Sequence, residues 1–225
     1  MRWLILFLPL LALSHELWIE KEREGYVLFY GHIKPKGGEE SKIPYKPEQV
    51  ENFDCYDNSG KKVFAKLIKE YPARLLGKCS VVLASFSSGY WSRTTEGLKN
   101  LPKDKATNVL ESWLSLESVK RIDLWNQNFS KPLTSELEIV LLENPLTLKL
   151  GQKFTVAVYY RGKPLKDVVV EHMGKAVGTT DEEGRINLRL REKGLQMIGA
   201  SMKEKGDGVK ADYVIRTSYL VFEVR

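Results

Sequence analysis

The chain has 225 residues, 43% of them hydrophobic, with a formal net charge of +6, three histidines and two cysteines. Its basic and acidic residues are interspersed, which excludes the basic clusters interleaved with aromatics that a nucleic-acid footprint needs. The length accommodates one large or two small domains with a real core, and two are expected.

The first residues, MRWLILFLPLLALS, hold one basic residue, an apolar run from Trp3 to Leu13, and Ala12 and Ser14 at minus three and minus one relative to His15. This is the pattern of a signal peptide over residues 1–14. About eleven apolar residues are too few to span a bilayer, which takes roughly 20. The expectation is therefore a periplasmic or otherwise extracytoplasmic protein, cut so that His15 leads the mature chain and not embedded in the membrane afterwards. A buried terminal strand or helix is the alternative, but the run has no capping or amphipathic pattern.

From His15 the segment HELWIEKEREGYVLFYGHI predicts a hairpin of Leu17–Glu20 and Tyr26–Gly31 around a charged turn at Glu22–Gly25. Its geometry puts His15 and His32 at the same end. Gly37, Gly38 and the prolines at 35, 44 and 47 mark a loop. Strands are predicted at Val50–Tyr56, Lys62–Ile68 and Ser80–Ser92, all rich in β-branched and aromatic residues. Cys55 and Cys79 are the only cysteines, so an exported chain would pair them, closing a loop of about 25 residues. Buried free thiols or a metal-binding thiolate pair are the alternatives, and no CxxC spacing supports the latter.

Between Pro102 and Gln127, Ala106, Val109, Leu110, Trp113, Leu116, Val119 and Ile122 recur at three or four residues, which predicts an amphipathic helix or a broken pair over 102–127. Residues 15–132 then form a β-rich first domain with this helical insert. Seven short strands follow, at Leu137–Leu142, Lys153–Tyr160, Lys166–His172, Lys175–Thr179, Arg185–Leu190, Gln196–Lys203 and Tyr213–Val224. Their spacing predicts an immunoglobulin-like sandwich over 137–225. Within it, RGKPL at 161–165 and TTDEEGRINLRL at 179–190 resemble carboxypeptidase-regulatory and bacterial Ig-like modules. The acidic turn lacks the ligand count of a calcium loop and reads as a plain β-turn with Gly184 at positive φ. The fold class expected is thus mainly β in two domains.

No nucleophile elbow, P-loop, dinucleotide fingerprint or HExxH motif is present, so an enzyme is not expected. The notable feature is a histidine placed directly after a cleavage site. Its α-amine and Nδ1 can chelate one metal ion in a six-membered ring, and both donors suit copper, nickel and cobalt. A second imidazole from His32 would complete three nitrogens, a histidine brace. The competing reading makes His15 a polar chain end and His32 a turn residue. Glu16 and Glu20 could add oxygen donors, although glutamates at a strand start are usually solvated. His172 precedes a turn and reads as a solvated or hydrogen-bonded residue.

On these residues the sequence resembles the NikK-like periplasmic accessory components of nickel and cobalt uptake transporters. The resemblance rests on SHELWIE at 14–20, YGH at 30–32, GYWSRTTEGLKN at 89–100, ESWLSLESVKRI at 111–122 and GTTDEEGRINLRLREKGLQMIGA at 178–200. It implies a protein that binds Ni²⁺ or Co²⁺ beside a membrane transporter, with His15 and His32 as ligands. Tyr90, Trp91, Arg93 and Thr94 read as packing residues or a partner surface. Two other classes compete: a copper chaperone or oxidative enzyme holding Cu²⁺ in a histidine brace, and an Ig-like adhesive or structural protein for which His15 is irrelevant.

Overall fold

The computed structural model describes residues 15–35 and 37–225, and the expected signal peptide at 1–14 lies outside the described residues. The described chain is made of strands and short 3-10 turns, with no α-helix among the described residues. In chain order the first strands are β1 (Glu16–Lys21), β2 (Gly25–Gly31), β3 (Val50–Tyr56), β4 (Lys62–Val63), β5 (Lys66–Ile68) and β6 (Arg74–Leu76). The middle of the chain holds β7 (Val81–Thr94), β8 (Gly97–Lys99), β9 (Val109–Ile122) and β10 (Glu138–Leu141). The remainder comprises β11 (Lys153–Tyr160), β12 (Lys163–Pro164), β13 (Val169–His172), β14 (Lys175–Thr179), β15 (Arg185–Arg189), β16 (Gly194–Lys205) and β17 (Tyr213–Val224).

These strands form three sheets. A four-stranded sheet has the order β1-β2-β6-β5, and a nine-stranded sheet runs β14-β13-β16-β17-β9-β7-β3-β4, with β8 paired to β7. A third is built from β10, β11, β12 and β15. The large sheet lies between the other two because consecutive residues of its strands enter opposite cores. Val82, Ala84, Phe86, Val119, Tyr219 and Val221 pack with Leu17, Ile19, Tyr26 and Leu28 of the first sheet. Val81, Leu83, Ile122, Leu220 and Phe222 pack with Ile139, Leu141, Phe154 and Val156 of the third. This is the period of two of a strand, used on both faces.

The predicted helix over 102–127 is instead a 3-10 turn at Lys103–Lys105 followed by the 14-residue strand β9. Val119 and Ile122, which would share a helix face, point into opposite cores, and Leu110 is 66% exposed. A strand covered on both faces loses its apolar-polar alternation, so the residues that remain can mimic a helical period. Hydrogen-bonded neighbours on both edges, β7 and β17, settle the matter.

The division into two domains at 132–137 is also not supported. β17, near the end of the chain, pairs in parallel with β9 over Tyr213–Phe222, so one continuous sheet crosses the expected boundary. The strands after residue 137 do face one another as a sandwich, but one of its two sheets continues into β9 and β7. The single strand expected over Lys62–Ile68 is two strands, β4 in the large sheet and β5 in the first, with the chain crossing at Phe64 and Ala65. Cys55 and Cys79 are disulfide-bonded. The turn after Thr180 has the expected form: the Asp181 carboxylate accepts from the backbone N–H groups of Glu183 and Arg185, and Gly184 has φ +71. No helix among the described residues is long and apolar enough to cross a membrane.

Candidate metal centre

The hairpin forms as expected. Leu17 and Ile19 of β1 and Tyr26 and Leu28 of β2 are buried facing the large sheet, Trp18, Val27 and Phe29 are buried on the opposite face, and the register sets Glu16 opposite Gly31. His15 therefore precedes the first strand where His32 follows the second. Gly31 makes the turn into His32 possible, because its φ is +144 and a Cβ there would lie 2.4 Å from the Ser41 carbonyl oxygen. Ser41–Ile43 folds back onto this point: His32 N–H donates to Ser41 O at 3.0 Å, and Ile43 N–H to Tyr30 O at 2.7 Å.

The two imidazole rings lie 5.1 Å apart between centroids and meet edge to face at 72°. With metal–nitrogen bonds of about 2 Å, two rings at that separation can ligate one ion. Both are largely covered, His32 retaining 14% side-chain exposure. His15 Nδ1 lies 3.2 Å from the Tyr30 hydroxyl, so a metal at Nδ1 would take the place of that contact. The Tyr219 hydroxyl donates to the His15 carbonyl at 3.2 Å and anchors the strand head to β17. Glu39 Oε2 is 3.9 Å from His32 Nδ1, beyond hydrogen-bond distance but near enough to place a carboxylate beside the pair.

Electrostatics favour the neutral ligand form at His15. Burial first, then the neighbouring His32, hold its imidazole below the ordinary histidine range, while Glu39 pulls the other way. Among the described residues no three His, Cys, Asp or Glu side chains are grouped to hold a metal. The side chains here thus offer two nitrogens, and a third would have to be the amine freed by cleavage before His15.

Glu16, weighed as an oxygen donor, spends Oε2 on the Ile33 backbone N–H at 2.8 Å, and Glu20 accepts from Trp18 Nε1 at 3.0 Å. His172 is buried, with its Nε2 3.0 Å from Gln196 Oε1. Neighbouring Met173 accepts from the Met197 N–H through its sulfur. The segment with Trp91 and Arg93 lies on β7, where Trp91 Nε1 donates to Ser88 Oγ and Arg93 pairs with Glu111.

Sequence reasoning missed the polar groups under the histidines. Tyr30 stacks on Phe86 at 5.0 Å, and burial, then the charge of Glu117, push its phenol up from the ordinary value. Glu117 sits on β9 between Ser115 and Val119, on the face turned to the first sheet. The signal was there: on a strand, an acid two residues from a core valine is pointed inward, but a helical reading of 102–127 hides it.

A family model described as a domain of unknown function (DUF4198) matches residues 12–204. No curated protein and no solved structure matches the chain.

Proposed function

The chain belongs to the DUF4198 family, and from its histidine pair we propose that it is an extracytoplasmic carrier of Ni²⁺ or Co²⁺. The ion is its cargo. Cleavage before His15 frees the α-amine, which chelates the ion together with His15 Nδ1; His32 adds the third nitrogen; a membrane uptake transporter receives the ion. No chemistry is done on it. The observation that carries this reading is the pair of imidazoles 5.1 Å apart at the end of the first hairpin. The resemblance to NikK-like accessory components supports the choice of metal and partner, and the Cys55–Cys79 bridge supports an oxidising compartment.

One added residue tests it. A Met or Gly in front of His15 turns the amine into an amide, which is no donor at neutral pH unless ionised, while both imidazoles stay in place. The extended chain should bind Ni²⁺ at least about tenfold more weakly than the processed one, about 1.4 kcal/mol. His32→Ala should weaken the processed protein as well, and His172→Ala should leave affinity unchanged. Equal affinity of extended and processed chains by calorimetry at one pH defeats the proposal.

Because Cu²⁺ binds nitrogen donors more tightly than Ni²⁺, the same three nitrogens also fit a copper carrier or an oxidative enzyme. Peroxide-dependent turnover of a polysaccharide by the reduced copper form would favour that second reading.

A further inference from the structure

Beneath the histidines a line of polar groups runs into the sheet. The Tyr30 hydroxyl, 3.2 Å from His15 Nδ1, also lies beside the Ser88 side chain. Ser88 Oγ donates to Glu117 Oε1 at 3.3 Å, and Ser115 Oγ donates to the same oxygen at 3.1 Å. Tyr30 and Ser88 thus stand in line between His15 and Glu117. The second carboxyl oxygen, Glu117 Oε2, is closed off from solvent and has no hydrogen-bond partner among the described residues.

Among the described residues, the nearest strand neighbours that share the face of Glu117 carry no cation. On β9 its neighbour on the same face is Ser115; β7 places Phe86 opposite and Ser88 beside it; β17 places Thr217 opposite. β2 contributes Tyr30, and no ion pair to Glu117 is present among the described residues. The site's other carboxylates, Glu16 and Glu39, belong to the strand head and the following loop. A carboxyl oxygen enclosed without a hydrogen-bond partner is costly and calls for a reason.

We propose that Glu117 is the internal counter-charge of the metal site: its carboxyl gives up a proton to solvent when a divalent cation enters at His15 and His32, and takes one back when the cation leaves. This rests on the carrier reading above. All three donors of that reading are neutral, so the ion brings its full double charge into a covered site, where a nearby carboxylate is attracted strongly and a neutral carboxyl is not. Burial, opposed by the Ser115 and Ser88 hydroxyls, pushes the Glu117 carboxyl up to about 7. Without cation the group is therefore mostly protonated at pH 6 and already ionised well above pH 8. Release of the cation is favoured when Glu117 is reprotonated, so mild acid assists hand-over.

The test uses protein exported and processed from the full chain, titrated with Ni²⁺ alone by calorimetry in buffers of different ionisation enthalpy, which counts the protons released. At pH 6 the native protein should release about one proton more than Glu117→Gln, and at about pH 8.5 the two counts should agree. Glu117→Gln should also bind at least about threefold more weakly at the higher pH, where it lacks the carboxylate. A measurement on the native protein guards against a poorly folded variant: Ni²⁺ added at pH 6 should remove one protonated-carboxyl band from the infrared spectrum. Equal proton counts and an unchanged band, with binding still dependent on the free amine, overturn the counter-charge and leave the carrier reading standing. Binding indifferent to the amine overturns both.

Discussion

His172 is held neutral by its setting. It is buried with Nε2 on Gln196 Oε1, and burial, against the opposing pull of Gln196, lowers its pKa from the ordinary 6.5. The unfolded chain therefore takes up this proton first as pH falls. The stability that depends on a neutral ring is complete above about pH 6.5 and is lost as pH falls from there toward the lower folded value. His172→Gln, which cannot titrate, should cost about 1 kcal/mol at pH 7 through changed packing and hydrogen bonding. It should then lose less stability than the native protein between pH 7 and pH 5, read from urea unfolding at each pH, with His15 and His32 common to both. Parallel losses would mean that the ring does not carry this dependence. At this scale His15 and His32 were legible, one from the cleavage pattern and one from the hairpin. Tyr30 and Glu117 were missed: a helical reading of 102–127 hid the inward face on which Glu117 lies, and what a hydroxyl or a carboxylate does depends on what lies within hydrogen-bonding distance.

The element on which most depends is β9. Its adjacent buried cations point to opposite faces: Lys120 Nζ pairs with Glu138 at 2.6 Å toward the third sheet, while Arg121 Nη1 donates to Ile19 O at 3.1 Å toward the first. Arg121 Nε also donates to Asp123 Oδ1 at 2.9 Å, and Lys21 reaches the other oxygen of that carboxylate at 2.8 Å. Removing one partner of such a pair leaves the other underpaired in a buried place. Arg121→Met should therefore cost about 3 kcal/mol. Because Ile19 lies in the middle of β1, the loss should appear first as faster amide hydrogen exchange along Glu16–Lys21, before global unfolding. Uniform acceleration over all sheets would contradict a tie specific to this strand. The same strand was read as a helix, and the reason is physical. Lys120 and Arg121 occupy interior positions because each finds a partner in another sheet, so hydrophobicity along β9 does not mark its faces.

At the scale of the whole molecule the three layers share one central sheet, and its middle is the parallel pair of β9 and β17. Two strands 91 or more residues apart in sequence, counted from Ile122 to Tyr213, hold each other in register over ten residue pairs. Cutting the chain at 132–137 would strip β17 of a neighbour and expose Leu17, Phe86 and Tyr219 on one side and Phe154 and Phe222 on the other. Residues 137–225 expressed alone should therefore be largely unfolded or aggregated, and the full protein should show one cooperative transition by calorimetry. An independently folded fragment with a sharp transition of its own would restore the two-domain description.

What the sequence by itself determined was local: the β character of most segments, the first hairpin and with it the meeting of His15 and His32, the Cys55–Cys79 pairing, and the turn at Asp181–Gly184. These follow from side-chain alternation, turn residues and the count of two cysteines, all of which act over a few residues or by elimination. Tertiary structure decided the rest. Whether Val109–Ile122 became strand or helix, whether the chain divided, and which acid came to lie under His15 depended on partners far away in sequence. Backbone hydrogen bonds of a strand close only on another strand, and that strand, β17, arrives at the end of the chain.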